Sequence, residues 1–205
     1  MANRFFNGIS IALHPIFLTT WGMIIIIWLI LPGALFSQWM LLLFCAGYTI
    51  VLPLIFIAFA RMLGYVSDLR MRNRRERIFT LVVAGVCAAA FGHILGSWHA
   101  PFIMRTFVMA TAIMMIVAAL LAIFSRISLH AIGWGGMAAL VSYLSLSQPG
   151  LSGMLATVVI LGGLAGTARI YLNEHKPWQV HVGFAVGFFT IWIAFIIIPL
   201  FGLHL

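Results

Sequence analysis

Long apolar runs recur along this sequence at a length that crosses a bilayer. The stretch IFLTTWGMIIIIWLILPGAL, residues 16–35, is one, and FIMRTFVMATAIMMIVAALLAIF, residues 102–124, is another. A helix of about 20 apolar residues spans a hydrocarbon core about 30 Å thick. Within that layer the backbone must satisfy its own polar groups, which a helix does along its length. Of the 205 residues, 64% are hydrophobic and 7% are charged, more apolar surface than one soluble core can hide. The expected fold is all-α: a polytopic transmembrane helical bundle of six or seven spans, forming a single integral membrane domain over residues 1–205.

The runs define seven candidate spans, at residues 16–35, 38–60, 79–96, 102–124, 131–146, 151–168 and 178–201. Pro32 and Gly33 stand near the end of the first. Pro53 lies inside the second, where a membrane helix tolerates a kink. The fifth is short and rich in glycine. Small residues in HAIGWGGMAA and LGGLAGTA suit close helix packing, and SQPG makes a tight turn. Ahead of the first span, Phe5, Phe6, Ile9 and Leu13 suit a short interfacial helix, and His14 before Pro15 marks a helix start. No short apolar core with a cleavage site precedes them, so no removable signal peptide is expected. Cys45 and Cys87 lie in apolar runs and read as small buried hydrophobes outside any disulfide framework.

Eleven basic residues face three acidic ones, Asp68, Glu76 and Glu174, for a net charge of +8. In a soluble chain that excess suggests nucleic acid. Here the basic residues sit in short loops beside apolar spans. Membrane lipids and their phosphates are therefore the expected partners, with no nucleic acid. Polar clusters at 70–77, 125–130 and 169–176 follow the second, fourth and sixth spans, two crossings apart each time. All three then fall on one membrane face, together with Arg4 and Arg61, while Arg105 lies near the other. The positive-inside rule makes the basic face cytoplasmic, in a bacterial inner membrane. Arginines kept for phosphate binding would not count as topology signals.

The three clusters contain Arg70, Arg77, Ser128, His130, Arg169 and His175. A guanidinium offers a planar fork of donors that matches phosphate oxygens. Histidine serves near neutral pH as a nucleophile toward phosphorus or as a proton donor. Ser128 adds a hydroxyl. This set suits phosphoryl transfer better than peptide or ester hydrolysis, because fixed donors match charge on the transferring oxygens. A metal centre is not expected: His175 and His181 are six apart, carboxylates are few, and neither cysteine lies near a histidine of this group. The other reading of His130 and His175 is as helix-end side chains that satisfy backbone groups, and of Arg126 and Arg169 as snorkelling residues at span ends. Lys176, Arg72, Arg74 and Arg75 either attract a phosphorylated lipid or form a solvated anchor face. Trp134, Tyr171 and Trp178 read as packing or interface aromatics. His14, His93, His99 and His181 have no matched role.

The order and spacing of these groups resemble the type 2 phosphatidic acid phosphatase superfamily. Its signature is Lys, six residues, Arg-Pro; then Pro-Ser-Gly-His; then Ser-Arg, five residues, His, three residues, Asp. The first part resembles RMRNRRERI, with Arg70 and Arg77 in the basic positions and Ile78 for the proline. The second resembles ISLH, keeping Ser128 and His130 with Ile127 and Leu129 substituted. The third resembles ARIYLNEHKPWQ, where Arg169 and His175 match, Ala168 replaces the serine and Gln179 replaces the aspartate. The region covered is 63–201.

The resemblance implies a metal-independent membrane phosphatase, without a cofactor, acting on a lipid phosphate or polyprenyl diphosphate. It assigns His175 as the nucleophile, carrying a phosphohistidine, and His130 as the acid that protonates the leaving oxygen. Arg70, Arg77, Arg169, Ser128 and the Leu129 amide would bind the phosphate, and Gln179 would stand where the orienting aspartate belongs. Gln179 can accept a hydrogen bond but supplies no negative charge, and loss of the orienting acid costs other triads about four powers of ten in rate. A catalytically weakened or inactive lipid-phosphate-binding protein is the alternative. A transporter fits less well, because ionisable residues are few within spans one to four.

Overall fold

The computed structural model describes residues 2–30, 35–67 and 73–200, and of residues 35–37 and 200 the backbone only. Asp68, Arg70 and Arg72, and with them part of the first cluster, lie outside the described residues, as do Pro32 and Gly33. The described chain is all-α, with no strand among the described residues. The helices are α1 (Ala2–Ala12), α2 (Leu18–Ile30), α3 (Leu35–Ala46), α4 (Leu52–Met62), α5 (Arg74–Ser97), α6 (Phe102–Phe124), α7 (Leu129–Leu144), α8 (Ser152–Tyr171) and α9 (Pro177–Leu200). Among the described residues, six stretches are long and apolar enough to cross a membrane, and their outward faces carry residues such as Trp28, Leu43, Phe59 and Phe189. The chain is an integral membrane protein of the polytopic helical class.

The helices group into two compact units. The first combines residues 1–18 with 126–200, and the second holds residues 19–125.

In the second unit, two features show how the sequence sets helix shape. Pro53 has no N–H and its ring crowds the carbonyl four residues before it. The chain answers with one wide π turn, Gly47–Val51, immediately ahead of α4, so that the Leu52 amide bonds Gly47. Thr49 Oγ donates to the Cys45 carbonyl at 2.7 Å within the same stretch. The second feature is the start of α5. Asn73 caps it by accepting from the Arg75 amide at 3.1 Å, so the helix begins at Arg74, inside the basic stretch and earlier than the expected apolar start at residue 79. Apolarity marks where a helix enters lipid, whereas the cap decides where it begins. Arg77 belongs to this unit and is buried. Beside it in sequence, the buried carboxylate of Glu76 accepts from Ser67 Oγ at 2.7 Å. Both cysteines are buried free thiols.

The first unit is built round α7. Every residue from His130 to Val141 is buried, so this helix is covered on all sides. It has 16 residues, shorter than the six candidate spans. At about 1.5 Å per residue it falls short of a full hydrocarbon core, in keeping with the short fifth span. Glycine lets α9 lie directly on it. A Cβ on Gly135 would fall on the Phe184 carbonyl oxygen, and one on Gly187 would fall on the Ile132 carbonyl oxygen. Helices in lipid associate through such close packing. The N-terminal helix α1 lies against α8, with the Phe6 and Tyr171 rings 4.1 Å apart. His14 then ends its run. It caps the short 3-10 turn Pro15–Phe17 by accepting from the Ile16 amide at 3.2 Å, the helix start that His14-Pro15 suggests.

Candidate functional site

Four helix ends meet in the first unit: the C-termini of α1 and α8 and the N-termini of α7 and α9. The turn between α8 and α9 sets most of the geometry. Asn173 has φ 55°, the left-handed conformation that asparagine tolerates better than most residues. Its amide bonds the Ile170 carbonyl at 3.0 Å and the Glu174 amide bonds the Arg169 carbonyl at 3.1 Å, the two bonds of a Schellman ending. The His175 amide also reaches Arg169 O, at 3.3 Å. The chain therefore doubles back beneath its own helix end, and His175 stays beside Arg169. In many such endings an apolar pair closes the turn. Here Arg169 Nη2 and Glu174 Oε2 form an ion pair at 3.3 Å.

Helix α9 restarts at once. Pro177 is its first residue, where a missing N–H costs nothing. Gln179, two residues on, reaches back so that Oε1 accepts from the Lys176 amide at 2.9 Å, half of a capping box. Because that amide is a donor, the facing side-chain atom must be the oxygen. The same oxygen lies 3.3 Å from His175 Nδ1, and the Arg126 carbonyl oxygen lies 3.0 Å from that nitrogen. Both neighbours only accept, so Nδ1 carries the proton and the lone pair of neutral His175 is on Nε2.

The loop before α7 is locked to the same place. Its Ser128 amide donates to the Gln179 carbonyl at 3.3 Å. Gly183 lets α9 come this close, since a Cβ there would sit 2.9 Å from Ser128 O. Ser128 is fully buried and its Oγ accepts from the Ala131 amide at 3.5 Å, so the hydroxyl acts as the cap of α7. Leu129 is the first residue of α7, half-buried, and its amide belongs to the donor-rich helix start.

His130 is buried one residue further on. Its Nε2 lies 3.0 Å from the Ser10 carbonyl oxygen and 3.4 Å from Ser10 Oγ. The shorter contact is to an acceptor, so Nε2 donates to it. Trp134 Nε1 donates to the Leu13 carbonyl at 3.2 Å. Two side chains of α7 thus satisfy carbonyls at the end of α1 that lack helical partners. His130 faces the His14 ring edge-on at 5.1 Å and interacts electrostatically with Arg169, His14 and His175.

Arg169 is mostly buried, its side chain 19% exposed. Nη1 donates to Ser10 Oγ at 3.0 Å and Nη2 pairs with Glu174, while the buried Nε–H has no hydrogen-bond partner among the described residues. A buried, unsatisfied guanidinium N–H costs energy unless something accepts from it. The partial positive charge of the α7 and α9 N-termini and the charge of Arg169 favour an anion there.

Of the residues expected from sequence, the first unit brings Ser128, Leu129, His130, Arg169, His175 and Gln179 into one neighbourhood. Arg77 belongs to the second unit, and Arg70 lies outside the described residues. Trp134 is a packing residue, whereas Tyr171, Trp178 and His181 are exposed. Among the described residues, no three His, Cys, Asp or Glu side chains gather as a metal-ligand set. Two participants escape the sequence reading. The Arg126 carbonyl carries no side-chain signal at all. Ser10 is distant in sequence, although Asn3, Asn7, Ser10 and His14 recur at steps of four, three and four, a polar line along a helical period.

No protein-family model matches the chain, and comparisons with curated proteins and with solved structures also return no match.

Proposed function

We propose that this protein is an integral-membrane phosphatase acting on a lipid phosphate or polyprenyl diphosphate, in a bacterial inner membrane with its basic face cytoplasmic. The observation that carries the reading is the pair of acceptor oxygens facing His175 Nδ1, Arg126 O at 3.0 Å and Gln179 Oε1 at 3.3 Å. With Nδ1–H shared between Arg126 O and Gln179 Oε1, the nucleophilic lone pair is on Nε2, on the turn that also sets Arg169. In this scheme Nε2 attacks phosphorus and the bond to the leaving oxygen breaks. The unpaired Nε–H of Arg169 and the α7 amides beyond Ser128 receive charge on the phosphoryl oxygens. Water then attacks phosphorus and gives a proton back to Nδ1 of His130 as the P–N bond breaks, which leaves phosphate, neutral His175 and the restored acid. The leaving oxygen takes its proton from His130. Since Nε2–H of that ring is held by the Ser10 carbonyl, the proton transferred is the one on Nδ1 of its imidazolium form; burial and the nearby Arg169 push that form well below neutral pH, so the charge of the bound phosphate must raise it.

The test is phosphate release from lipid phosphates and polyprenyl diphosphates in detergent, with and without a chelator, for native protein and His175→Ala. Chelator-resistant release that disappears in His175→Ala is the expected result. No release from any substrate by folded protein overturns the enzyme reading.

A second reading, a lipid-phosphate-binding protein without turnover, is favoured by one observation: the group beside His175 Nδ1 is a neutral amide. Such a protein would bind the same lipids and release no phosphate.

A further inference from the structure

Resting on the anion-site reading above, we propose that Ser10 of the N-terminal helix is a positioning residue of that site: its hydroxyl holds the Arg169 guanidinium and its carbonyl holds the His130 imidazole. Ser10 bonds both groups, with 3.0 Å to Arg169 Nη1 and 3.0 Å to His130 Nε2, and it is 4% exposed. Each bond removes a freedom the chemistry cannot leave open. A guanidinium turns about its side-chain torsions unless its ends are held. Arg169 is held at Nη1 by Ser10 and at Nη2 by Glu174, which aims the remaining N–H groups, Nε–H among them. An imidazole can flip or exchange tautomers. The Ser10 carbonyl fixes the His130 proton on Nε2 and leaves Nδ1 as the atom that exchanges. Preorganised donors of this kind bind an anion with less ordering cost than mobile ones.

The surroundings of Ser10 are built to keep it there. Phe6, one turn earlier on α1, packs its ring on Tyr171 of α8, two residues from Arg169. Trp134 of α7 ties the Leu13 carbonyl one turn later. The polar residue is thus clamped from both sides between α7 and α8. An apolar residue would serve simple packing at a site this buried. The ligand class is a phosphate monoester or diphosphate, either free or as a lipid headgroup.

The experiment uses the full chain in detergent and two probes, inorganic phosphate and dioctanoyl phosphatidate, titrated by calorimetry. Ser10→Ala removes the hydroxyl, Ser10→Cys keeps its shape with a poor acceptor, and Ser10→Thr keeps the hydroxyl. Thermal unfolding identifies which variants are folded. The expected result is that Ser10→Ala and Ser10→Cys bind both probes about ten-fold more weakly, while Ser10→Thr binds as native protein does. Native-like or tighter binding by the folded Ala or Cys variant overturns the proposal, because Ser10 would then be packing or a competitor of the anion. A loss confined to the lipid probe also overturns it, since positioning of Arg169 must affect phosphate itself. If native protein binds neither probe, the anion-site reading fails and this proposal fails with it.

Discussion

The side-chain oxygen of Gln179 stands 3.3 Å from Nδ1 of His175 while it caps its own helix through the Lys176 amide at 2.9 Å. One atom therefore orients the candidate nucleophile and starts α9. Gln179→Glu keeps the reach and adds the missing negative charge, which stabilises a positively charged His175. The expected outcome is phosphate release faster by about ten-fold or more, within the four powers of ten that an orienting acid is worth elsewhere. Gln179→Leu loses both bonds, so release falls and the helix cap is lost at a cost of about 1 kcal/mol. Initial rates and thermal unfolding in detergent check both. A Gln179→Glu rate equal to that of native protein shows that the neutral amide does not limit the site.

The carboxylate of Glu174 occupies one end of Arg169 and competes with any anion for it. Its side chain is 44% exposed, so the ion pair contributes little to stability. Glu174→Gln is expected to change stability by less than about 0.5 kcal/mol and to tighten phosphate binding about three-fold, in line with a surface pair. The gain shrinks as salt rises. Calorimetric titration at two salt concentrations measures it, and weaker binding in the variant means Glu174 assists the anion instead.

Asn173 supplies the left-handed residue on which the α8–α9 turn depends. Asn173→Gly is expected to be nearly neutral. Asn173→Val forces a β-branched side chain into φ 55° and costs about 1–2 kcal/mol. Because the turn also sets His175 beside Arg169, phosphate release falls further than stability alone explains. Thermal unfolding paired with initial rates separates the two effects.

Two kinds of glycine in the first unit give opposite predictions. Gly135→Ala and Gly187→Ala place a methyl group on a backbone carbonyl of the partner helix and are expected to abolish folded protein. Gly163, on α8, has nothing within 4 Å of a would-be Cβ. Gly163→Ala is expected to raise stability by about 0.5–1 kcal/mol through helix propensity alone. Yield of monodisperse protein and thermal unfolding distinguish these outcomes.

Much of the fold was legible because lipid simplifies the code. A run such as 102–124 has one stable form in hydrocarbon, and α6 occupies those residues. Helix starts were less legible where capping rather than apolarity decides them, as at Asn73. The same holds for the wide turn ahead of Pro53, since the proline demands an adjustment without naming its form. Around the site, the short steps within ISLH and ARIYLNEHKPWQ mark Ser128, His130, Arg169, His175 and Gln179.

The sequence by itself determined the solvent, the helical class and the identity of most polar groups that gather in the first unit. Apolar length and local spacing are properties of neighbouring residues, and they survive without a fold. The tertiary structure alone decided which oxygen faces each nitrogen. Arg126 O on His175, Ser10 O on His130 and Ser10 Oγ on Arg169 join positions 49, 120 and 159 residues apart. Two of those acceptors are backbone carbonyls, which every residue possesses, so only the packing of α1, α7, α8 and α9 could select them.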